Sequence, residues 1–165
     1  MKKELYLLRH AKSDWNSMVS SDFERGLNKR GERDAPLIGD VLYQKGVLPE
    51  LVLSSPAKRA KKTASIICEK IGYSVENIVY EPLIYEASMQ RLIDIISSVD
   101  DDISKLMLVG HNPALTYLIN HVSDLNLDNL PTCSVAGISF DISSWEDFGT
   151  KKGDVLFFEY PKRYL

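Results

Sequence analysis

Apolar residues along this chain fall into short runs, and three of the runs have the length of a buried strand. These runs are Leu5 to Leu8, Leu51 to Leu53 and Leu106 to Val109. An unbroken apolar run of this length is typical of a strand that is buried on both faces, as in a parallel sheet. A further short strand is predicted from Ile78 to Tyr80.

The segments between these runs carry the pattern of amphipathic helices. The longest one runs from Lys29 to Gln44, and Asn28 is its predicted N-cap. Pro36 interrupts the pattern, so the helix either kinks at the proline or begins later, near Asp34. In both cases Gly46 is expected to end it.

Three more helices are predicted. Ser54, Ser55 and Pro56 are interpreted as the strand end, the N-cap and the first turn of a helix that stops at Gly72. A third helix is predicted over Leu92 to Val99, where apolar residues recur at spacings of three and four. The fourth follows the third of the long apolar runs.

Two final strands, Ser134 to Ile142 and Val155 to Tyr160, are predicted to form a hairpin at an edge of the sheet. Alternation of strands and helices predicts an α/β fold, a three-layer sandwich in which helices cover both faces of a mostly parallel central sheet. We expect residues 1–165 to form one domain. A polar segment from Asp14 to Leu27 shows no clear period.

Composition and charge narrow the function classes. The chain is 44% hydrophobic and 26% charged, as in soluble globular proteins. Its formal net charge of −3 does not favour nucleic acid, so anion binding would need a local cluster of positive side chains. The absence of a signal-length or membrane-length apolar segment leads us to expect a cytoplasmic protein with no membrane partner.

Unusual polar residues follow each of the three long strands. The first strand ends in Arg9 and His10, the second leads to Arg59 in the opening of a helix, and the third ends in Gly110 and His111. Because ligands bind beyond the carboxyl ends of parallel strands, these side chains are expected to meet if the strands are neighbours. Guanidinium groups and helix N-termini match the oxygens of a phosphoryl group.

A metal site is not expected, and no cofactor is implied. The only histidines, His10, His111 and His121, lack the spacing of metal ligands, and two arginines would repel a cation. We interpret His121 as a structural residue of a helix. The two cysteines, Cys68 and Cys133, are interpreted as packing residues.

Three motifs in this order resemble those of the histidine phosphatase superfamily, which has the phosphoglycerate mutase-like fold. The motifs are Leu8-Arg9-His10-Ala11, then Ser54-Ser55-Pro56 with Arg59-Ala60 and Thr63-Ala64, then Gly110-His111-Asn112-Pro113. Within the superfamily the chain looks like the SixA-type phosphohistidine phosphatases, because it is short and because the segment from Arg25 to Gly31 resembles theirs.

The resemblance implies a role for each matching residue. His10 would be the nucleophile, forming a transient phosphohistidine that water then cleaves. Arg9, Arg25, Arg59 and His111 would bind the phosphate oxygens, where transition-state charge is spread. Nearby arginine charge would also lower the pKa of His10 and keep its ring neutral, as a nucleophile requires.

The general acid is left open between three carboxylates. Many superfamily members use a carboxylate near the position of Glu86, but SixA-like proteins often lack it. Glu81 and Asp14 are rivals, and any of the three could be a surface carboxylate. A phosphohistidine substrate needs the acid less, since imidazole is a better leaving group than an alkoxide.

The resemblance predicts an enzyme that removes phosphate from a histidine phosphotransfer or phosphorelay protein. The short stretch between Glu81 and His111 leaves little chain for a lid, and an open site suits a phosphoryl group presented on a protein. The alternatives are a small-molecule phosphomonoesterase with the same His10 chemistry and a non-catalytic phosphate-binding scaffold. A mutase is less favoured, because it must keep its phosphorylated intermediate from water.

Overall fold

The centre of the fold is a mixed sheet, and the computed structural model describes residues 2–14 and 21–165 of the chain. Within these residues the strands are β1 (Lys3–Arg9), β2 (Leu51–Ser54), β3 (Val79–Tyr80), β4 (Lys105–Gly110), β5 (Val135–Phe140) and β6 (Asp154–Glu159). They form one sheet in the order β3-β2-β4-β1-β5-β6. The first four strands in this order are parallel, and β5 and β6 are antiparallel additions. This arrangement confirms the predicted hairpin, with β6 at the edge.

Helices cover both faces of the sheet, as the sequence predicted. In the described residues the α-helices are α1 (Lys29–Gln44), α2 (Lys58–Ile71), α3 (Met89–Ser97) and α4 (Ala114–Val122). Apolar side chains of α1 and α2 belong to one buried cluster, and those of α3 and α4 belong to the other. The observed fold is therefore the predicted α/β sandwich of three layers.

Apolar and polar residues do not alternate along β1 because both faces of this strand are buried. Leu5 and Leu7 belong to the cluster on the α3 and α4 side, whereas Tyr6 and Leu8 belong to the cluster on the α1 and α2 side. Successive side chains of a strand point to opposite faces, so both faces of β1 must be apolar. The polar Arg9 is reached only where the strand ends.

The carboxyl ends of the three central strands lie level with one another. In the parallel pairing of β1 with β4, Arg9 lies opposite Gly110. In the pairing of β2 with β4, Ser54 lies opposite Val109. The residues that follow these strands therefore enter one region, at the edge of the sheet where ligands of α/β proteins bind.

Helix α1 begins at Lys29, so the alternative of a later start near Asp34 is wrong. The Asn28 side chain accepts a hydrogen bond from the backbone N–H of Gly31 at 2.9 Å and caps the helix. Pro36 lies inside the helix, and Gly46 follows its end with a φ of +73°. A capped first turn and a buried apolar face stabilise the helix despite the missing N–H of the proline.

Two helices begin at residues other than those predicted. Helix α2 begins at Lys58 and has Ala57 at its N-cap, so the prediction that Ser55 caps it is wrong. Gly72 ends α2 in the left-handed conformation, as predicted. Helix α3 begins at Met89, before the predicted Leu92, because Ser88 caps it through a hydrogen bond from the backbone N–H of Arg91.

Part of the predicted polar segment from Asp14 to Leu27 lies outside the described residues. Residues 15–20 belong to that part. None of the helices in the described part of the chain is long and apolar enough to cross a membrane.

Candidate active site

A polar pocket of about 350 Å³ lies beyond the carboxyl ends of β1, β2 and β4. Its lining residues are Arg9, His10, Lys12, Ser13, Asp14, Arg25, Arg59, His111, Asn112 and Thr132. The structure therefore brings together every residue that the sequence motifs assigned to phosphate, with the nucleophile candidate among them.

His10 is held with its Nε2 atom unprotonated. The ring is buried, and Nδ1 lies 2.8 Å from the backbone carbonyl oxygen of Ala11. A carbonyl oxygen only accepts hydrogen bonds, so Nδ1 must donate and therefore carries the ring proton. Burial, assisted by the nearby His111 and Arg59, lowers the pKa of His10 to about 3. The ring is therefore neutral at neutral pH, and Nε2 presents a lone pair.

Main-chain hydrogen bonds fix the turn that carries His10. Its backbone N–H donates to the carbonyl of Gly110 at 3.1 Å, and its carbonyl accepts from the N–H of Cys133 at 3.0 Å. The N–H of Ala11 donates to the hydroxyl of Thr63, which in turn donates to the carbonyl of Arg59. These bonds join the end of β1 to the first turns of α2.

His111 lies next to His10, with 5.1 Å between the two ring centroids. Its Nε2 lies 2.7 Å from the hydroxyl oxygen of Ser55. Its Nδ1 is buried and has no hydrogen-bond partner among the residues that the structure describes. Burial, followed by the positive charge of Arg59, lowers the pKa of His111 to about 4, so this ring is also neutral at neutral pH.

The guanidinium groups are oriented by different partners. Arg9 donates to the carbonyl of Leu130 at 2.8 Å, and Arg59 forms an ion pair with Asp22 at 3.0 Å. Arg25 pairs with the same carboxylate at 3.2 Å and also donates to Ser13. The Nε atoms of Arg9 and Arg59 are buried and without a hydrogen-bond partner in the described part of the chain. Such a set of fixed positive groups suits an anion with several oxygens.

Asp22 is a site residue that the sequence did not reveal. Its carboxylate contacts both Arg25 and Arg59 and accepts a hydrogen bond from the hydroxyl of Tyr85 at 2.7 Å. Burial alone would raise its pKa, but the hydrogen bonds from Tyr85 and Arg59 outweigh burial and lower the pKa to about 2. Asp22 is therefore an ionised anchor for two arginines. Its position three residues before Arg25 was the available signal, whereas its contact with Arg59 is long-range.

The three carboxylates considered as general acid lie in different places. Asp14 lines the pocket. Glu86 is exposed, has a φ of +59° and is not among the lining residues. Glu81 lines a separate and larger groove of about 510 Å³ between β2, β3 and α3, beside Leu83 and Asp94. The structure therefore does not bring Glu86 or Glu81 into the pocket.

The side chains of the remaining candidates do not line the pocket. His121 is exposed in the last turn of α4 and is not a lining residue. Cys68 and Cys133 are buried free cysteines, which confirms that they are packing residues. Among the described residues, no three His, Cys, Asp or Glu side chains are grouped so that they could hold a metal ion.

Comparison with known proteins agrees with this geometry. Residues 5–94, more than half of the chain, match the family model of the histidine phosphatase superfamily, branch 1. The chain belongs to this superfamily. It is also 34% identical over 153 residues to an uncharacterized chloroplastic protein of Arabidopsis thaliana, a match that covers 88% of this chain and 70% of the relative.

Within the histidine phosphatase superfamily, the similarity extends over whole chains in some cases and over parts in others. A provisionally named phosphohistidine phosphatase SixA from Agrobacterium tumefaciens has a TM-score of 0.82 and 28% identity, covering 96% of this chain and 98% of that one. A protein histidine phosphatase SixA complexed with tungstate shares the fold with a TM-score of 0.82 at 18% identity, covering 98% and 99%. A 2,3-bisphosphoglycerate-dependent phosphoglycerate mutase of Streptomyces avermitilis is 38% identical over 68 residues, which is 40% of this chain and 27% of the mutase. The match thus spans about a quarter of the mutase's length.

Proposed function

We propose that this chain is a phosphatase that removes the phosphoryl group from phosphohistidine on a protein, through a phosphohistidine intermediate on His10. The observation that carries the proposal is the state of His10. Its ring is neutral and buried, and the hydrogen bond to Ala11 leaves Nε2 as the unprotonated atom in a pocket that arginines line. A neutral imidazole beside fixed guanidinium groups is suited to attack phosphorus.

The first chemical step transfers the phosphoryl group to the enzyme. The lone pair on His10 Nε2 forms a bond to phosphorus as the bond from phosphorus to the substrate nitrogen breaks, and that nitrogen keeps the electron pair. Arg9, Arg25 and Arg59 hold the non-bridging oxygens, where negative charge is spread in the transition state. The carboxyl group of Asp14, which lines the pocket, gives a proton to the leaving imidazole and becomes a carboxylate.

In the second step, water attacks the phosphorus of the intermediate and gives a proton to the Asp14 carboxylate. The bond between phosphorus and Nε2 breaks, inorganic phosphate leaves, and the electron pair returns to His10. The hydrogen bond between Nδ1 and Ala11 lasts through both steps because it uses the other ring nitrogen. His10 therefore ends the cycle in the state in which it began.

A protein substrate is supported by the length of the chain and by the cations that line the pocket. The match with the Agrobacterium protein covers nearly the whole of both chains, so this chain has little length for an added lid relative to it. Four cationic side chains line the pocket, those of Arg9, Lys12, Arg25 and Arg59. A pocket lined by cations suits a phosphoryl group presented on a partner's surface.

Phosphate release tests the proposal. Wild type and His10→Ala are compared on a phosphohistidine-bearing phosphotransfer protein and on a panel of small phosphate esters. Preference for the protein, abolished in His10→Ala, is the expected result. Preference for one small ester would replace the proposed substrate class with that of a phosphomonoesterase, and binding without any turnover would favour the scaffold alternative.

A further inference from the structure

The hydroxyl group of Ser55 lies buried between the backbone and the second histidine of the pocket. Its oxygen accepts a hydrogen bond from the N–H of Ala57 at 3.2 Å and lies 2.7 Å from Nε2 of His111. The Ser55 side chain is fully buried. Helix α2 begins only at Lys58, so this serine is not the cap of the helix that its sequence position predicted.

The hydrogen bonds that the Ser55 hydroxyl can form determine which ring nitrogen of His111 is protonated. A serine hydroxyl has one hydrogen to donate and two lone pairs to accept with. Ala57 occupies one lone pair, and Nε2 of His111 is the acceptor available to the hydrogen among the described residues. A proton on Nε2 would leave the buried hydroxyl hydrogen without that acceptor, which is unfavourable. Ser55 therefore donates to Nε2, and the ring proton of His111 is on Nδ1.

We infer that Ser55 is a positioning residue, which fixes His111 as a neutral ring with its proton on Nδ1. That nitrogen is the buried polar atom without a partner in the described part of the chain. Because the His111 ring lines the pocket and lies 5.1 Å from the His10 ring, Nδ1 is the donor that His111 has for a phosphoryl oxygen. Only this last step, the recipient of the hydrogen bond, rests on the proposed function.

The tautomer is measured directly by NMR of the full chain with ¹⁵N-labelled histidine. Spectra that correlate ring nitrogens with ring protons are recorded at pH 7.5 for wild type, and His111→Asn assigns the signals. We expect wild-type His111 to carry its proton on Nδ1, and Ser55→Ala to move population to the Nε2-protonated form. Ser55→Thr, which keeps the hydroxyl, should keep the wild-type tautomer. The neighbouring Ser54→Ala is the matched control, since the Ser54 hydroxyl donates its hydrogen bond to the backbone carbonyl of Ser55 and not to His111.

A kinetic measurement accompanies the spectra. Ser55→Ala should lower kcat/KM for phosphate release about 10-fold to 100-fold, by analogy with the loss found when a group that orients a metal-ligating histidine is removed, while Ser54→Ala stays within about twofold. Inorganic vanadate, a phosphate mimic, should bind Ser55→Ala more weakly than Ser54→Ala. A wild-type His111 protonated on Nε2, or a tautomer unchanged in Ser55→Ala, would overturn the inference. If Ser55→Ala does not fold, the spectra of wild type and of Ser55→Thr still test which tautomer of His111 is present.

The two proposals fail in distinguishable ways. The tautomer and vanadate binding do not depend on the substrate. If no phosphohistidine protein is hydrolysed but His111 behaves as expected, the proposed substrate class is wrong and the role of Ser55 stands. If turnover is present but the tautomer does not respond to Ser55, the positioning role is wrong.

Discussion

The two histidines of the pocket occupy similar places but are held in different ways. Both follow a buried parallel strand, and Arg9, which precedes His10, lies opposite Gly110, which precedes His111. Burial lowers the pKa of both rings. His10 is oriented by a backbone carbonyl, whereas His111 is oriented by the hydroxyl of Ser55. The state of His10 thus depends on main-chain geometry, and that of His111 depends on one side chain.

The arginines show the same division. Arg9, beside His10, donates to the main-chain carbonyl of Leu130. Arg25 and Arg59 are held by the carboxylate of Asp22, and Arg59 also donates to the main-chain carbonyl of Asp22 at 2.8 Å. One side of the pocket is therefore fixed by the end of β1 and its backbone partners, and the other side, here called the side-chain wall, depends largely on one carboxylate that a single substitution can remove. We expect substitutions at the side-chain wall to have graded effects and loss of His10 to be severe.

The largest effect is expected for His10→Ala. Loss of the nucleophile should lower phosphate release by at least about 10³-fold, because no other described group presents an oriented imidazole nitrogen for attack. Binding of inorganic phosphate, measured by calorimetry, should be partly retained because the arginines remain. His121→Ala is the control, since His121 is exposed and does not line the pocket. Unchanged turnover in His10→Ala would refute the mechanism.

Asp22→Asn should have the next largest effect. The substitution keeps the size of the side chain but removes the charge that holds Arg25 and Arg59, so kcat/KM for phosphate release should fall about 10-fold to 100-fold. Glu24→Gln, an equal charge change at an exposed position of the same loop, should stay within about twofold. Equal losses in both variants would show that net charge, and not the ion pairs, matters.

The stability of the protein should fall as the pH drops below about 6.5, the ordinary pKa of histidine. Unfolded histidines bind protons there, but the folded rings stay neutral until about pH 3 for His10 and about pH 4 for His111. The unfolded state therefore binds more protons in this window, and each ring contributes up to about 1.4 kcal/mol of lost stability per pH unit. Urea denaturation at pH 7.5, 6.5 and 5.5 measures the slope. It should be shallower in His10→Gln and in His111→Gln than in wild type, and equal slopes would contradict the lowered pKa values.

The smallest effect is expected for Glu86→Gln. Because Glu86 is exposed and outside the pocket lining, its loss should change kcat/KM less than about twofold. Asp14→Asn should have the larger effect, and it should be greater on alkyl phosphate esters than on phosphohistidine, since alkoxide leaving groups need a proton more. A larger loss in Glu86→Gln than in Asp14→Asn, measured on the same ester, would reverse the assignment of the acid.

The parts of the fold that the sequence could predict are those that depend on local pattern. Apolar runs buried on both faces gave the strands, and Arg9, His10 and His111 could be placed because they directly follow these runs. The register of parallel strands then brings their ends together, independently of the conformation of the loops that connect them. Local pattern was sufficient here because each residue is positioned by the strand that it follows.

The missed features depend on contacts between distant segments. Asp22 and Arg59 are 37 residues apart, and Ser55 and His111 are 56 apart, so neither contact leaves a periodic signal in the sequence. The prediction that Ser55 is an N-cap assumed that its hydroxyl accepts a hydrogen bond from the first turn of the helix. That hydroxyl instead contacts His111, and α2 begins later. The general acid stayed open because sequence position did not reveal that Glu86 is exposed.

Trapping the phosphorylated enzyme tests the central claim most directly. Wild type is mixed with the ³²P-labelled phosphohistidine protein, quenched in alkali within milliseconds and digested, and ³¹P NMR of an unlabelled preparation identifies the phosphorylated nitrogen. We expect phosphate on Nε2 of His10, formed and lost at rates that account for turnover, and none in His10→Ala. Phosphate on a different residue or on Nδ1, or turnover without any phosphoenzyme under conditions that trap a fast intermediate, would contradict the account.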